Sequence, residues 1–220
     1  MQIGVIRQAK ILFLKEIKTD WRNRYAINGI LVQLISAVFI SSLCFKAVKP
    51  MTWNALYWII ILFSAVNAIA RSFIQEREGR LLYYHSLVNP IAVLYSKMLF
   101  NTILSIVIAT IAFVVFSLLL GMPDWDIMRY GVLVLLFAIG LGFLFTAVSS
   151  IASKTKSGGI LMPVLSFPLI IPMMVVGIAG SVFVVLGDHS HFAQNAAIMA
   201  LIDVMIAVLA SVMFKFLWQD

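Results

Sequence analysis

The sequence predicts an all-α integral membrane protein: six transmembrane helices with both termini cytoplasmic, preceded by an amphipathic interfacial helix. Three observations carry this. The chain is 63% hydrophobic and 11% charged, with a mean hydropathy of +1.06. A soluble domain holds about a quarter charged residues, so the polar surface needed to face water is missing. Apolar runs of about 20 residues, the length that crosses a bilayer, recur along the 220 residues. They leave room for one transmembrane domain over 1–220 and no second domain. Finally, the basic residues alternate in density from loop to loop, the signature of a chain threaded through a membrane.

Residues 3–25 open the chain. Ile6, Phe13, Ile17 and Trp21 recur at helical spacing, while Arg7, Lys10, Lys18 and Arg22 fall largely on other faces. This is the pattern of a helix lying among lipid headgroups. A secretory signal fits less well, because the charged and apolar regions are both too long and no small-residue cleavage site stands out. Anchoring explains the pattern without a partner, although a docking helix would look the same. The first span follows at 26–46, ending at Lys46, Lys49 and Pro50. Trp53, Tyr57 and Trp58 open the second, 53–71, in the position of an interfacial aromatic belt. Beyond a polar stretch, the third covers 98–120 and stops at Gly121-Met122-Pro123. A short acidic loop (Asp124, Trp125, Asp126) and Arg129 lead into the fourth, 130–151. The fifth, 160–186, contains Pro163, Pro168 and Pro172. Each proline removes a backbone donor and crowds the preceding turn. A kinked or broken helix is expected, either as a fixed feature or as a flexible span that moves in a transport cycle. A polar loop with His189 and His191 precedes the sixth span, 196–217.

Lysine and arginine set the orientation. Thirteen of the 16 fall on one side: six in the N-terminal helix and its exit, then Arg71, Arg77, Arg80, Lys97, Lys154, Lys156 and Lys215. Only Lys46, Lys49 and Arg129 fall on the other. The richer side is cytoplasmic, and the net charge of +7 follows the membrane rather than a nucleic acid.

Catalytic and cofactor motifs are missing. There is no G-x-x-x-x-G-K-[ST] phosphate loop, H-E-x-x-H or G-x-S-x-G. The chain reads as a transport subunit that binds no cofactor directly and leaves ATP hydrolysis to another protein. The lone Cys44 reads as a buried thiol acting as a small apolar residue. Asp203 is the one carboxylate inside a span, about two turns from the outer end of the sixth. It is a functional candidate by default, but with no intramembrane cation beside it, a wet vestibule or polar neighbour is the plainer reading. His189 and His191 could share one side of an extended loop, yet a short polar loop more simply keeps them solvated. His85 lies far from both.

The longest polar interruption is 71–97, RSFIQEREGRLLYYHSLVNPIAVLYSK. It sits between two spans on the cytoplasmic side and holds Glu76, Arg77, Glu78, the break at Gly79, Arg80, Leu81, Leu82 and the Asn89-Pro90 turn. With this handle so placed, the chain resembles permease subunits of exporter-type ABC transporters. More narrowly, it resembles the cytochrome c maturation protein B family of haem exporter subunits. The matching residues are Arg71-Ser72-Phe73, Glu76-Arg77-Glu78-Gly79, Leu81-Leu82, Asn89-Pro90 and Tyr95-Ser96-Lys97. A second block runs from Ala152-Ser153-Lys154 through Gly158 and Leu161-Met162-Pro163-Val164-Leu165 to Phe167-Pro168-Leu169-Ile170-Ile171-Pro172. The E-x-E-G-x-L segment is common to many such permeases; the proline-rich fifth span narrows the match. The chain departs from the family at Leu82-Tyr83-Tyr84, where members often carry a carboxylate, and at Asn89, where they carry a small or apolar residue.

The resemblance implies a multi-pass protein of the bacterial cytoplasmic (inner) membrane working with a separate ABC ATPase, two copies of each. Further partners are membrane lipid, a haem-handling membrane protein and a haem chaperone, with haem as the cargo. Residues Glu76 to Leu82, with Lys154 and Lys156, would be the ATPase-coupling surface. Leu81 and Leu82 would enter a groove, while Glu76, Arg77 and Glu78 supply charge at its rim. The outer loops are short and Trp125-Asp126 is no tryptophan-rich haem platform, which favours mechanical coupling over haem conduction. Two other readings stay open: an ABC-2-type permease for another cargo such as a polysaccharide or drug, and a non-transport membrane scaffold.

Overall fold

The computed structural model describes residues 5–22, 24–45, 48–74, 89–152 and 158–217, side chains excepted at 19–27, 70–74, 90, 158–163 and 214–217. Among these residues it is all-helical. The helices are α1 (Val5–Arg22), α2 (Arg24–Cys44), α3 (Pro50–Ile74), α4 (Pro90–Leu120), α5 (Ile127–Ala152), α6 (Gly158–Val185) and α7 (Phe192–Leu217). Five of them, α3 to α7, are long and apolar enough to cross a membrane among the described residues. In α2 the apolar stretch is the shorter Asn28–Cys44.

Helix α5 is the axle. It packs against α4, α6 and α7, and 61% of its apolar window is buried, against 17% for α7. Gly142 lets α4 approach it closely: a Cβ at that position would run into the backbone and hydroxyl of Thr102. Small residues are what permit such contacts where lipid removes the hydrophobic drive between helices. Asn101 Nδ2 donates to Thr146 Oγ1 at 2.8 Å across the same pair. One continuous core gathers residues from α2 to α7.

The densest part of that core lies where α3, α5 and α7 begin and α4 and α6 end. Trp53, Tyr57 and Trp58 sit at the level expected of an aromatic belt but turn inward, at 3%, 0% and 0% exposure. Their polar atoms explain the turn. Trp58 Nε1 donates to Asn54 Oδ1 (3.0 Å) and Ser181 Oγ (2.9 Å), Asn54 Nδ2 donates to Ser181 Oγ (3.0 Å), and Tyr130 OH donates to Asn54 Oδ1 (2.8 Å). Tyr57 OH donates to the carbonyl of Ala109 at 3.0 Å. Trp53 stacks on Tyr57 at 5.3 Å, with Phe116 and Trp125 edge-on to it at 5.2 Å. The Nε1 atoms of Trp53 and Trp125 find no partner among the described residues. The ring of Trp58 fills the space left by the missing side chain of Gly177.

Several boundaries move. Helix α4 begins at Pro90 rather than 98, because Asn89 caps it: its side chain accepts from the Ile91 N–H at 3.0 Å and Pro90 occupies the first helical position. At 31 residues, α4 is about 46 Å long and overruns a hydrocarbon core of about 30 Å. Helix α7 starts at Phe192 instead of 196. The expected break in the proline-rich span does not occur, since α6 runs unbroken through Pro163, Pro168 and Pro172. Pro168 and Pro172 are exposed and four residues apart, so their rings lie on one outer face while Ser166, Ile170 and Met173 keep the opposite face buried. Cys44 is exposed at the end of α2 rather than buried, because it falls on the helix's last residue, beyond the core.

Candidate functional site

The sequence places its main site on residues Glu76, Arg77, Glu78, Gly79, Arg80, Leu81 and Leu82, with Lys154 and Lys156. All nine lie outside the described residues. What is described is the frame on which both segments are strung. The first leaves α3 at Ile74 and re-enters at Asn89; the second joins α5 to α6.

The re-entry point is held by α1. Gln8 Oε1 accepts from the Asn89 backbone N–H at 3.2 Å. Ala9 and Leu12 bury against Ala92 and Val93, with Val5 alongside. These three α1 residues share one face at helical spacing. Ile6 and Ile17, on the neighbouring stripe, are 87% and 39% exposed. The helix thus carries two apolar stripes, one against α4 and one exposed. Sequence reading found only the second, since Val5, Ala9 and Leu12 are individually unremarkable.

Asp203 lies eleven residues into α7, about 16 Å along its axis, which is deeper than the two turns expected because α7 starts earlier. It is 5% exposed, and among the described residues neither carboxylate oxygen has a hydrogen-bond partner. The carboxylate rests on Gly140 of α5 beside Met173 of α6, where any Cβ would collide with both. Of the wet vestibule or polar neighbour expected from the sequence, no hydrogen-bonding neighbour is present among the described residues. Asp203 also lines a groove of about 550 Å³ between α4, α5 and α7.

The histidine loop is exposed. His191 packs its ring 4.9 Å from Phe183, and His189 and His191 form no group of three metal-ligating side chains among the described residues. Asp188 accepts from the Ser190 N–H at 2.9 Å. Hydrogen bonding to the Ser190 side chain and backbone holds its carboxyl below the usual range, with smaller help from His191 and His189.

Sequence reasoning missed the Asn54–Trp58–Tyr130–Ser181 knot. Its one available signal was an asparagine inside an apolar span, which needs an internal partner.

Comparison with known proteins gives one clear result. The profile of the family described as CcmB protein matches residues 7–216, nearly the whole chain. No curated protein matches it.

Proposed function

The chain belongs to the CcmB protein family, and from that premise we propose that it is the membrane subunit through which a partner ATPase drives haem handling in cytochrome c maturation. The family is that of permease-type components of a haem-exporting ABC system, which makes the chain a multi-pass membrane protein and a transport subunit. In our reading it resides in the bacterial inner membrane, crosses it six times with both termini inside, and pairs with a second copy and two ATPase copies.

The observation that carries the coupling mechanism is the clamp at Asn89. The docking segment returns to the bundle into a helix capped by Asn89, hydrogen-bonded to Gln8 and buried against α1. A push on 75–88 therefore meets a stiff lever rather than a slack loop. That lever is α4, whose far end carries Phe116 in the aromatic cluster. Motion at the ATPase is passed along it to the outer ends of α3 and α5. The outer connections at 121–126 and 186–191 are short, and a large apolar macrocycle calls for a concave apolar pocket. Haem is accordingly held by the partner membrane protein and chaperone, while this chain supplies movement.

Charge reversal of Glu76 and Glu78 tests the docking surface. Pull-down of the ATPase should fall while membrane insertion stays intact; unchanged pull-down would return the segment to a solvated connector. Replacing His189 and His191 by alanine should leave haem-stained covalent cytochrome nearly normal. Loss of that signal at normal protein level would make the chain a direct haem carrier. Reporter fusions at Lys156 and Asp188 should report inside and outside respectively.

A further inference from the structure

Helix α2 packs against α1, α3 and α4, and its outward side carries two polar side chains within the apolar stretch Asn28–Cys44. Gln33 is half-buried and Ser36 exposed. Other hydroxyls of the same helix close on their own backbone. Ser41 Oγ donates to the Ala37 carbonyl at 2.8 Å, and Ser42 Oγ to that of Phe39 at 2.7 Å. The side chains of Gln33 and Ser36 make no hydrogen bond among the described residues. Gln33 lies about 8 Å along the apolar stretch, where acyl chains supply neither donor nor acceptor. Amides and hydroxyls in that position promote helix association. The spacing points the same way. Gly29, Gln33, Ser36, Ile40 and Leu43 follow one another at four, three, four and three residues, the alternation of a left-handed two-helix seam. All five are exposed or half-exposed, while Ile30, Leu34 and Val38 turn the opposite side of α2 into the core.

We propose that this seam docks a second copy of the chain, α2 against α2 across a twofold axis along the membrane normal, with Gln33 paired to Gln33. The lysine and arginine bias inserts every copy in one orientation. A twofold axis relating two such copies runs along the normal, so each seam residue meets its own counterpart at its own depth. A carboxamide is complementary to itself in that setting: Nε2 of each Gln33 donates to Oε1 of the other. Gly29 and Ser36 are small enough to let the two backbones close, and one polar residue in such a seam fixes its register. A helix of another subunit would have to bring a matching group to the same level, which a second copy does by symmetry. The inference rests on reading the chain as a paired subunit and locates the face through which it pairs.

The test is disulfide crosslinking of the full chain in membranes that also hold its partner subunits. Cys44 is the chain's one cysteine, so a Cys44→Ala background leaves no native thiol. On it, Ser36→Cys, Ile40→Cys and Leu43→Cys should each yield a crosslinked homodimer, since a disulfide needs the two Cα atoms within about 7 Å. Ile35→Cys is the control: Ile35 is exposed but lies about 120° round the helix from the seam, and it should not crosslink. Gln33→Ala should slow the Leu43→Cys crosslink about tenfold, the scale of two interhelical hydrogen bonds in lipid. Gln33→Asn, which keeps a shorter amide, should fall between. Co-purification of two differently tagged copies reports pairing separately. Copies that co-purify without seam crosslinks, as when a helix of another subunit covers α2, would overturn the interface and leave the paired reading standing. Ile35→Cys crosslinking as readily as the seam, or a rate indifferent to Gln33→Ala, would overturn it too. Copies that do not co-purify would overturn both. Should Gln33→Ala fail to accumulate, the contrast between the seam thiols and Ile35→Cys decides by itself.

Discussion

The aromatic end of the bundle and the Asp203 level of the α5–α7 contact use the same material differently. At the aromatic end, Asn54 accepts from Trp58 and Tyr130 and donates to Ser181, so three helices are tied through one amide. At the other site a carboxylate of comparable burial receives no hydrogen bond from the described residues, although three helices again surround it. A buried polar group in a membrane is either closed within its own chain, where it fixes the packing, or left open. Where it is left open, the chain carries a desolvation cost with no compensating bond.

That contrast can be broken in four ways. Asn54→Ala should be the most damaging, costing about 2–4 kcal/mol because several buried donors and acceptors lose their partner at once. Reversible unfolding in mild detergent measures it, and a loss under 1 kcal/mol would show that the knot does not hold the helices. Gly140→Ala comes next. Its Cβ would strike the Asp203 carboxylate and Met173, so a destabilisation of about 1–3 kcal/mol is expected from overpacking. Placed on an Asp203→Ala background, the same substitution should cost less, and a strictly additive double mutant would mean that the two residues do not share the space. Asn101→Ala removes a single α4–α5 bond and should cost about 0.6–1.7 kcal/mol, the range of such bonds in lipid; denaturant titration is sufficient to see it.

The smallest effect belongs to the solvent-exposed counterpart, Asp188. Its carboxyl titrates below the usual carboxylate range because Ser190 hydrogen-bonds the charged form. A depressed acid stabilises above its unfolded value and loses that contribution as pH falls through the folded one. Asp188→Asn should therefore lower the melting temperature only slightly near neutral pH, where the depressed carboxyl is ionised. That small wild-type advantage should fade as pH falls through the usual carboxylate range and below it. A large difference at pH 7 would place Asp188 in a tighter network than a hydrated loop provides.

Much of this protein was legible in its amino-acid order. The class follows from composition, because a chain with so few charges cannot cover a core in water. Helix existence follows from apolar length, and the family from the handle together with the proline-rich span. Capping at Asn89 could be read locally, since Asn-Pro supplies both a side-chain acceptor and a pre-set backbone angle. What tertiary structure alone decided is which way each side chain faces. Trp53, Tyr57 and Trp58 sit at belt depth, yet whether an aromatic meets headgroups or neighbouring rings depends on Tyr130, Phe116 and Ser181, far away in sequence. In an all-apolar helix, hydrophobic periodicity has nothing to alternate against, so the buried face carries no local mark. Continuity of α6 through its prolines likewise depends on neighbours holding its Ser166–Ile170–Met173 face. The close approach at Gly140 and the buried carboxylate of Asp203 are properties of a crossing between two helices, and no single stretch of sequence contains a crossing.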